Sequence, residues 1–150
     1  MTKLRKLAIV LLAMHMTSCV ATYNQGHYEN LTKLKAYHSK FLDDFTVSPQ
    51  NKFSTARLNE YREEGDLKFR EAEEYAEPIG DENRLKGLAI VRDLYSTHVG
   101  DVSSDGALMS PTFAEQRKEV TEANYSAAIK GELSRMGAPA TKKSNENKAE

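Results

Sequence analysis

Residues 53–76 read FSTARLNEYREEGDLKFREAEEYA, and the spacing of their apolar members decides the fold class. At about 100° per residue, Leu58, Tyr61, Gly65, Phe69, Ala72 and Ala76 fall within an arc of about 80°. Every acid from Glu60 to Glu77 lies outside that arc. A helix with one apolar stripe must bury it against other elements. The acidic face alternates with Arg57, Arg62, Lys68 and Arg70, and Glu64–Lys68 and Asp66–Arg70 have the favourable i,i+4 order. A solvated charged face is therefore expected there, rather than paired catalytic carboxylates.

Working outward, Leu31, Leu34, Phe41, Leu42 and Phe45 give a first helix over about Tyr28–Phe45, with its stripe about 100° wide. Asp81–Val99 reads as a third helix, apolar over most of its circumference and so expected at the centre. Pro111–Met136 reads as a fourth. Ser48-Pro49 and Ser110-Pro111 place an N-cap residue before proline at the first helical position. Pro78 and Gly80 break the second helix from the third, and Gly100 and Gly137 read as C-terminal stops. No segment alternates like a strand. An all-α fold follows: a small antiparallel bundle of about four helices over residues 28–136.

The chain has 150 residues, 21 basic and 22 acidic, with one Cys and no Trp. A single thiol excludes an internal disulfide framework. The first six residues carry Lys3, Arg5 and Lys6 and no acid, and Leu7–Met14 follows as an uncharged run of eight. Such a run is too short to span a bilayer, which takes about 20 residues, but has the length of a signal-peptide core. It leads into Met16-Thr17-Ser18-Cys19. This resembles the lipobox of bacterial lipoproteins, with Met16 in place of the usual leucine.

The resemblance implies cleavage between Ser18 and Cys19, lipid attachment at Cys19, and membrane anchoring through acyl chains such as palmitate. Residues 1–18 would be the signal peptide, and 19–27 the acylated cysteine with a flexible tether. Because Val20 rather than Asp follows the cysteine, it also implies the outer membrane, facing the periplasm, in a two-membrane host. Several acyl chains anchor stably where one would be marginal. Loss of Lys3, Arg5 and Lys6 leaves 18 basic against 22 acidic residues. That balance disfavours nucleic acid as a partner. Residues 137–150 lack large apolar side chains and are expected to be a disordered tail.

Among candidate sites, His38 lies mid-stripe on the first helix. It is expected to be a boundary histidine bonded to a neighbour, with a ligand-binding or pH-sensing imidazole as the alternative. His27 and His38 are too far apart to share an ion, at about 16 Å along a helix. No metal site or cofactor is expected. Arg92 falls in the apolar arc of the third helix and must pair with a carboxylate or snorkel outward. Asp101–Thr112 resembles the start of an EF-hand calcium loop, but Thr112 stands where a bidentate glutamate is needed, so an ordinary loop is expected.

The fourth helix carries two apolar arcs. One holds Phe113, Val120, Ala127 and Gly131; the other holds Tyr125, Ile129, Leu133 and Met136. Small residues suit the first to internal packing. The second is expected to be an exposed patch for an envelope protein partner or self-association. No nucleophile–base pair, metal motif or phosphate loop is present, so an enzyme is not expected. The function expected is a membrane-anchored envelope lipoprotein working by protein–protein contact, as scaffold, adaptor, inhibitor or exclusion factor. A bundle binding a small ligand or ion is the alternative.

Overall fold

The structure is a computed structural model and describes residues 22–137. Four helices follow in order: α1 Gln25–Asp44, α2 Thr55–Ala76, α3 Glu82–Asp105 and α4 Pro111–Leu133. Short 3-10 turns at Glu77–Ile79 and Ser134–Gly137 follow α2 and α4. No strand occurs among the described residues; one isolated bridge pairs Thr46 with Met109. The helices form a ring in which α1 and α3 each pack against α2 and α4, so α1 and α3 face one another diagonally across the core.

Each helix starts on a side chain that satisfies otherwise orphaned backbone amides. Asn24 accepts from His27 N, Ser54 from Arg57 N, Asp81 from Asn83 N and Arg84 N, and Ser110 from Phe113 N. The caps correct two boundaries. Asn24 starts α1 three residues earlier than expected, so Gln25, Gly26 and His27 are helix and not tether. Ser54, not Ser48, caps α2; Ser48 closes a turn instead, its carbonyl accepting from Asn51 N at 3.3 Å.

The apolar stripes of α1 and α2 are buried as expected. The buried residues of α2 are Leu58, Tyr61, Gly65, Phe69, Ala72 and Ala76. Gly65 permits a close approach, because a Cβ there would overlap the ring of Tyr95. That ring packs among Tyr37, His38, Phe41 and Phe69, and its hydroxyl donates to the Tyr61 carbonyl at 2.6 Å.

Two expectations for α3 are corrected. Gly100 does not end the helix, which continues to Asp105 and stops at Gly106, whose φ is +58°. Val102 is buried one turn beyond Val99, and that packing outweighs the cost of about 1 kcal/mol for a mid-helix glycine. Nor is α3 central: Ala89 and Ile90 face solvent, and α3 packs mainly against its two ring neighbours, α2 and α4.

The ring has two distinct ends. At one, the loops 45–54 and 106–110 are braced by Val47 N donating to Met109 O (2.9 Å) and Met109 N to Phe45 O (2.8 Å). At the other, the start of α1, the α2–α3 connection and the end of α4 converge.

Candidate functional site

At that second end a guanidinium and a carboxylate are buried together. Arg84 Nε donates to Glu132 Oε2 at 2.9 Å and Arg84 Nη2 to Glu132 Oε1 at 2.7 Å, a bidentate pair joining α3 to α4. Glu132 is fully buried and Arg84 nearly so. The pair also holds the chain before α1. Arg84 Nη2 donates to the carbonyl of Thr22, and Asn24 N donates to Glu132 Oε1 at 2.5 Å. Arg135 completes the network, reaching Glu132 Oε2 and Asp81 Oδ2 at 3.0 Å each. Burial pushes the Glu132 carboxyl up, but the bonds from Arg84 and Asn24 outweigh it and hold the group below the usual range. Thr22 and Asn24 are thus pinned to the bundle and do not behave as tether.

Neither Arg84 nor Glu132 was singled out by the sequence patterns. The signal was present: Arg84 lies within about 40° of Leu88, Val91, Tyr95 and Val102 on the helical wheel. Arg92, expected to need a carboxylate partner or to snorkel outward, sits at the rim and is partly exposed. It pairs with Glu73 at 2.6 Å and Asp66 at 3.7 Å across the α2–α3 seam.

The fourth helix departs from expectation. Its buried stripe is Ala114, Thr121, Tyr125 and Glu132. Tyr125 is fully buried, and Ile129 is half-buried against the core. Leu133 (41% exposed) and Met136 (63%) are the members of the expected patch that face solvent. The arc assigned to internal packing is turned outward instead, with Val120, Ala127 and Gly131 exposed and Phe113 half-buried. Two polar residues on the buried stripe made it unreadable as apolar periodicity.

His38 is fully buried, not a boundary residue, and its partner is on the diagonal helix: His38 Nε2 lies 2.9 Å from His98 Nδ1. One ring therefore donates to the other, joining α1 to α3. Burial, with a smaller contribution from His98, lowers His38 to about 3. Burial and the charge of Arg117, opposed by Asp101, lower His98 to about 4. The outer nitrogens, His38 Nδ1 and His98 Nε2, have no partner, nor do Thr121 Oγ1 and Tyr125 Oη. Buried polar atoms without partners are uncommon, and a water or small ligand satisfies them when one fits.

Among the described residues, no three His, Cys, Asp or Glu side chains stand where they could hold a metal ion. The Asp101–Thr112 stretch is not a loop over its first half, since Asp101–Asp105 belong to α3. Asp101 Oδ2 is instead paired with Arg117 Nη2 at 2.6 Å. A surface groove of about 260 Å³ between α1 and α2 has Leu34 and Ala72 among its lining residues, with Lys33, Lys68 and Glu71. Ser18 and Cys19 lie outside the described residues. No described helix is long and apolar enough to cross a membrane. Compared with known proteins, the chain matches no family model, no curated protein and no solved structure.

Proposed function

We propose that this chain is a membrane-anchored lipoprotein of the bacterial envelope that works by contact with another protein rather than by catalysis. The observation that carries the proposal is the Arg84–Glu132 clamp on Thr22 and Asn24. Thr22, three residues after the lipobox cysteine, is bonded to Arg84, so an anchor at Cys19 would hold the bundle close to the lipid surface. The braced loops at the opposite end, where Val47 is 52% exposed, would then point away from it. A short, fixed stand-off suits an adaptor or inhibitor that meets its partner near the membrane. In a two-membrane host, Val20 after Cys19 favours the outer membrane and the periplasmic side.

The test is made in cells expressing the full chain from its own signal. Palmitate label is expected on the wild type and absent from Cys19→Ala. A photo-crosslinking residue at Val47 is expected to give one discrete protein adduct. Label persisting in Cys19→Ala contradicts the anchor, and no adduct from Val47 contradicts the contact. A second reading, a bundle that takes a small ligand, draws support from the unpartnered outer nitrogens of the histidine pair and the unpartnered hydroxyl of Tyr125, whose ring lies 5.9 Å from that of His38. A ligand binding the folded state alone raises the melting temperature, and a screen of small polar molecules would find it.

A further inference from the structure

We infer that the clamped end of the bundle lies on the membrane, with Leu133 and Met136 entering the boundary between headgroups and acyl chains. The inference rests on anchoring at Cys19 and extends it by fixing which face of the domain meets the lipid. Three links separate Cys19 from Thr22, a reach of at most about 11 Å when fully extended. Thr22 is itself held by Arg84, which is paired to Glu132. Leu133 is the next residue after Glu132, and Met136 follows Arg135, which donates to Glu132 and forms an ion pair with Asp81. The apolar side chains and the origin of the tether therefore share one end, and a lipid on Cys19 leaves little room for anything but the bilayer beneath them.

Two tyrosines strengthen the assignment. Tyr75 is partly exposed at this end, its hydroxyl donating to Asn24 Oδ1 at 3.0 Å, and half-buried Tyr23 adjoins Asn24. Tyrosine is enriched where one side of a ring meets hydrocarbon and its hydroxyl meets water. The charges favour a neutral surface. Among the described residues at this end, Arg84 and Arg135 are engaged by Glu132 and Asp81, Glu77 and Glu82 are exposed, and no basic cluster is free to seek anionic lipid. Docking by apolar contact alone is expected to be insensitive to salt.

The chain has no Trp, so single tryptophans report without background. Lipid-modified protein recovered from cells expressing the full chain with Met136→Trp, Leu133→Trp or Val47→Trp is placed in phosphatidylcholine–phosphatidylethanolamine vesicles, with and without bromine on the acyl chains. Emission from positions 136 and 133 is expected to shift to the blue and to be quenched several-fold by bromine, equally at low and high salt. Emission from position 47, at the far end, is expected to stay red and unquenched. Position 136 behaving like position 47 overturns the docking. A blue shift at 136 that bromine does not quench also overturns it, since protein rather than lipid then covers the face. Flotation with vesicles without quenching removes the docking alone. A chain that carries no lipid and does not float removes the anchor, and the docking with it.

Discussion

Glu132 and Arg84 show how one buried pair commits a whole end of the domain. Replacing Glu132 with Gln leaves the Arg84 guanidinium buried with a neutral partner, and Glu132→Ala leaves it with none. Breaking such a pair from one side costs about 3 to 5 kcal/mol, whereas replacing both partners with apolar residues is often neutral. Glu132→Ala is therefore expected to unfold at markedly lower urea concentration, and Arg84→Met with Glu132→Leu to recover most of the loss. Equal stability of Glu132→Ala and wild type would show that the pair is not holding the fold. The histidine pair makes a separate prediction. Both imidazoles are held neutral in the fold, with values near 3 and 4, while unfolded histidine titrates near 6.5. Between those limits the unfolded chain binds more protons, so stability is complete above about pH 6.5 and falls as the pH drops. Each histidine contributes a slope of about 1.4 kcal/mol per pH unit. Glu132 adds a second loss at lower pH, as its carboxylate is protonated. Urea midpoints from pH 8 to pH 4 check this, and His38→Leu with His98→Leu is expected to flatten the upper part of the curve.

The elements divide by how plainly their stripes are written. The buried stripe of Leu58, Tyr61, Gly65, Phe69, Ala72 and Ala76 was legible, because every position on it is apolar or glycine and every acid lies off it. Tertiary contacts set what the sequence concealed. Gly100 looked like a stop, yet buried Val102 carries α3 past it. Thr121 and Glu132 hid the inner face of α4, and the partners of His38 and Arg84 come from helices far along the chain. Two of the helical glycines provide a paired test. Gly100→Ala adds a methyl to open space in a helical position and is expected to stabilise by about 0.5 to 1 kcal/mol. Gly65→Ala gains the same propensity but drives its Cβ into the Tyr95 ring, which is fixed by packing and by its bond to Tyr61 O, so a net loss of stability is expected. Thermal melts of both variants decide it; similar shifts in the two would mean that the Gly65–Tyr95 contact is loose.

For the whole molecule, the ring of four helices brings both chain ends of the described domain to one side. Its core is aromatic and cross-linked by polar pairs: His38 with His98 between α1 and α3, Arg84 with Glu132 between α3 and α4. Truncating Phe69, fully buried beside Tyr95, is expected to cost about 3 to 5 kcal/mol, measured by denaturant unfolding. The fold class was readable from periodicity. The polar clamp that places the domain relative to its expected anchor was not, since its partners lie 48 residues apart. Everything proposed about action depends on that anchor. The most direct measurement is the intact mass of the protein recovered from the membrane fraction of cells expressing the full chain. The account predicts a polypeptide beginning at Cys19 with the added mass of a diacylglycerol group, together with an N-acyl chain in hosts that add one. A full-length chain without lipid, or one cleaved at another residue, would contradict it.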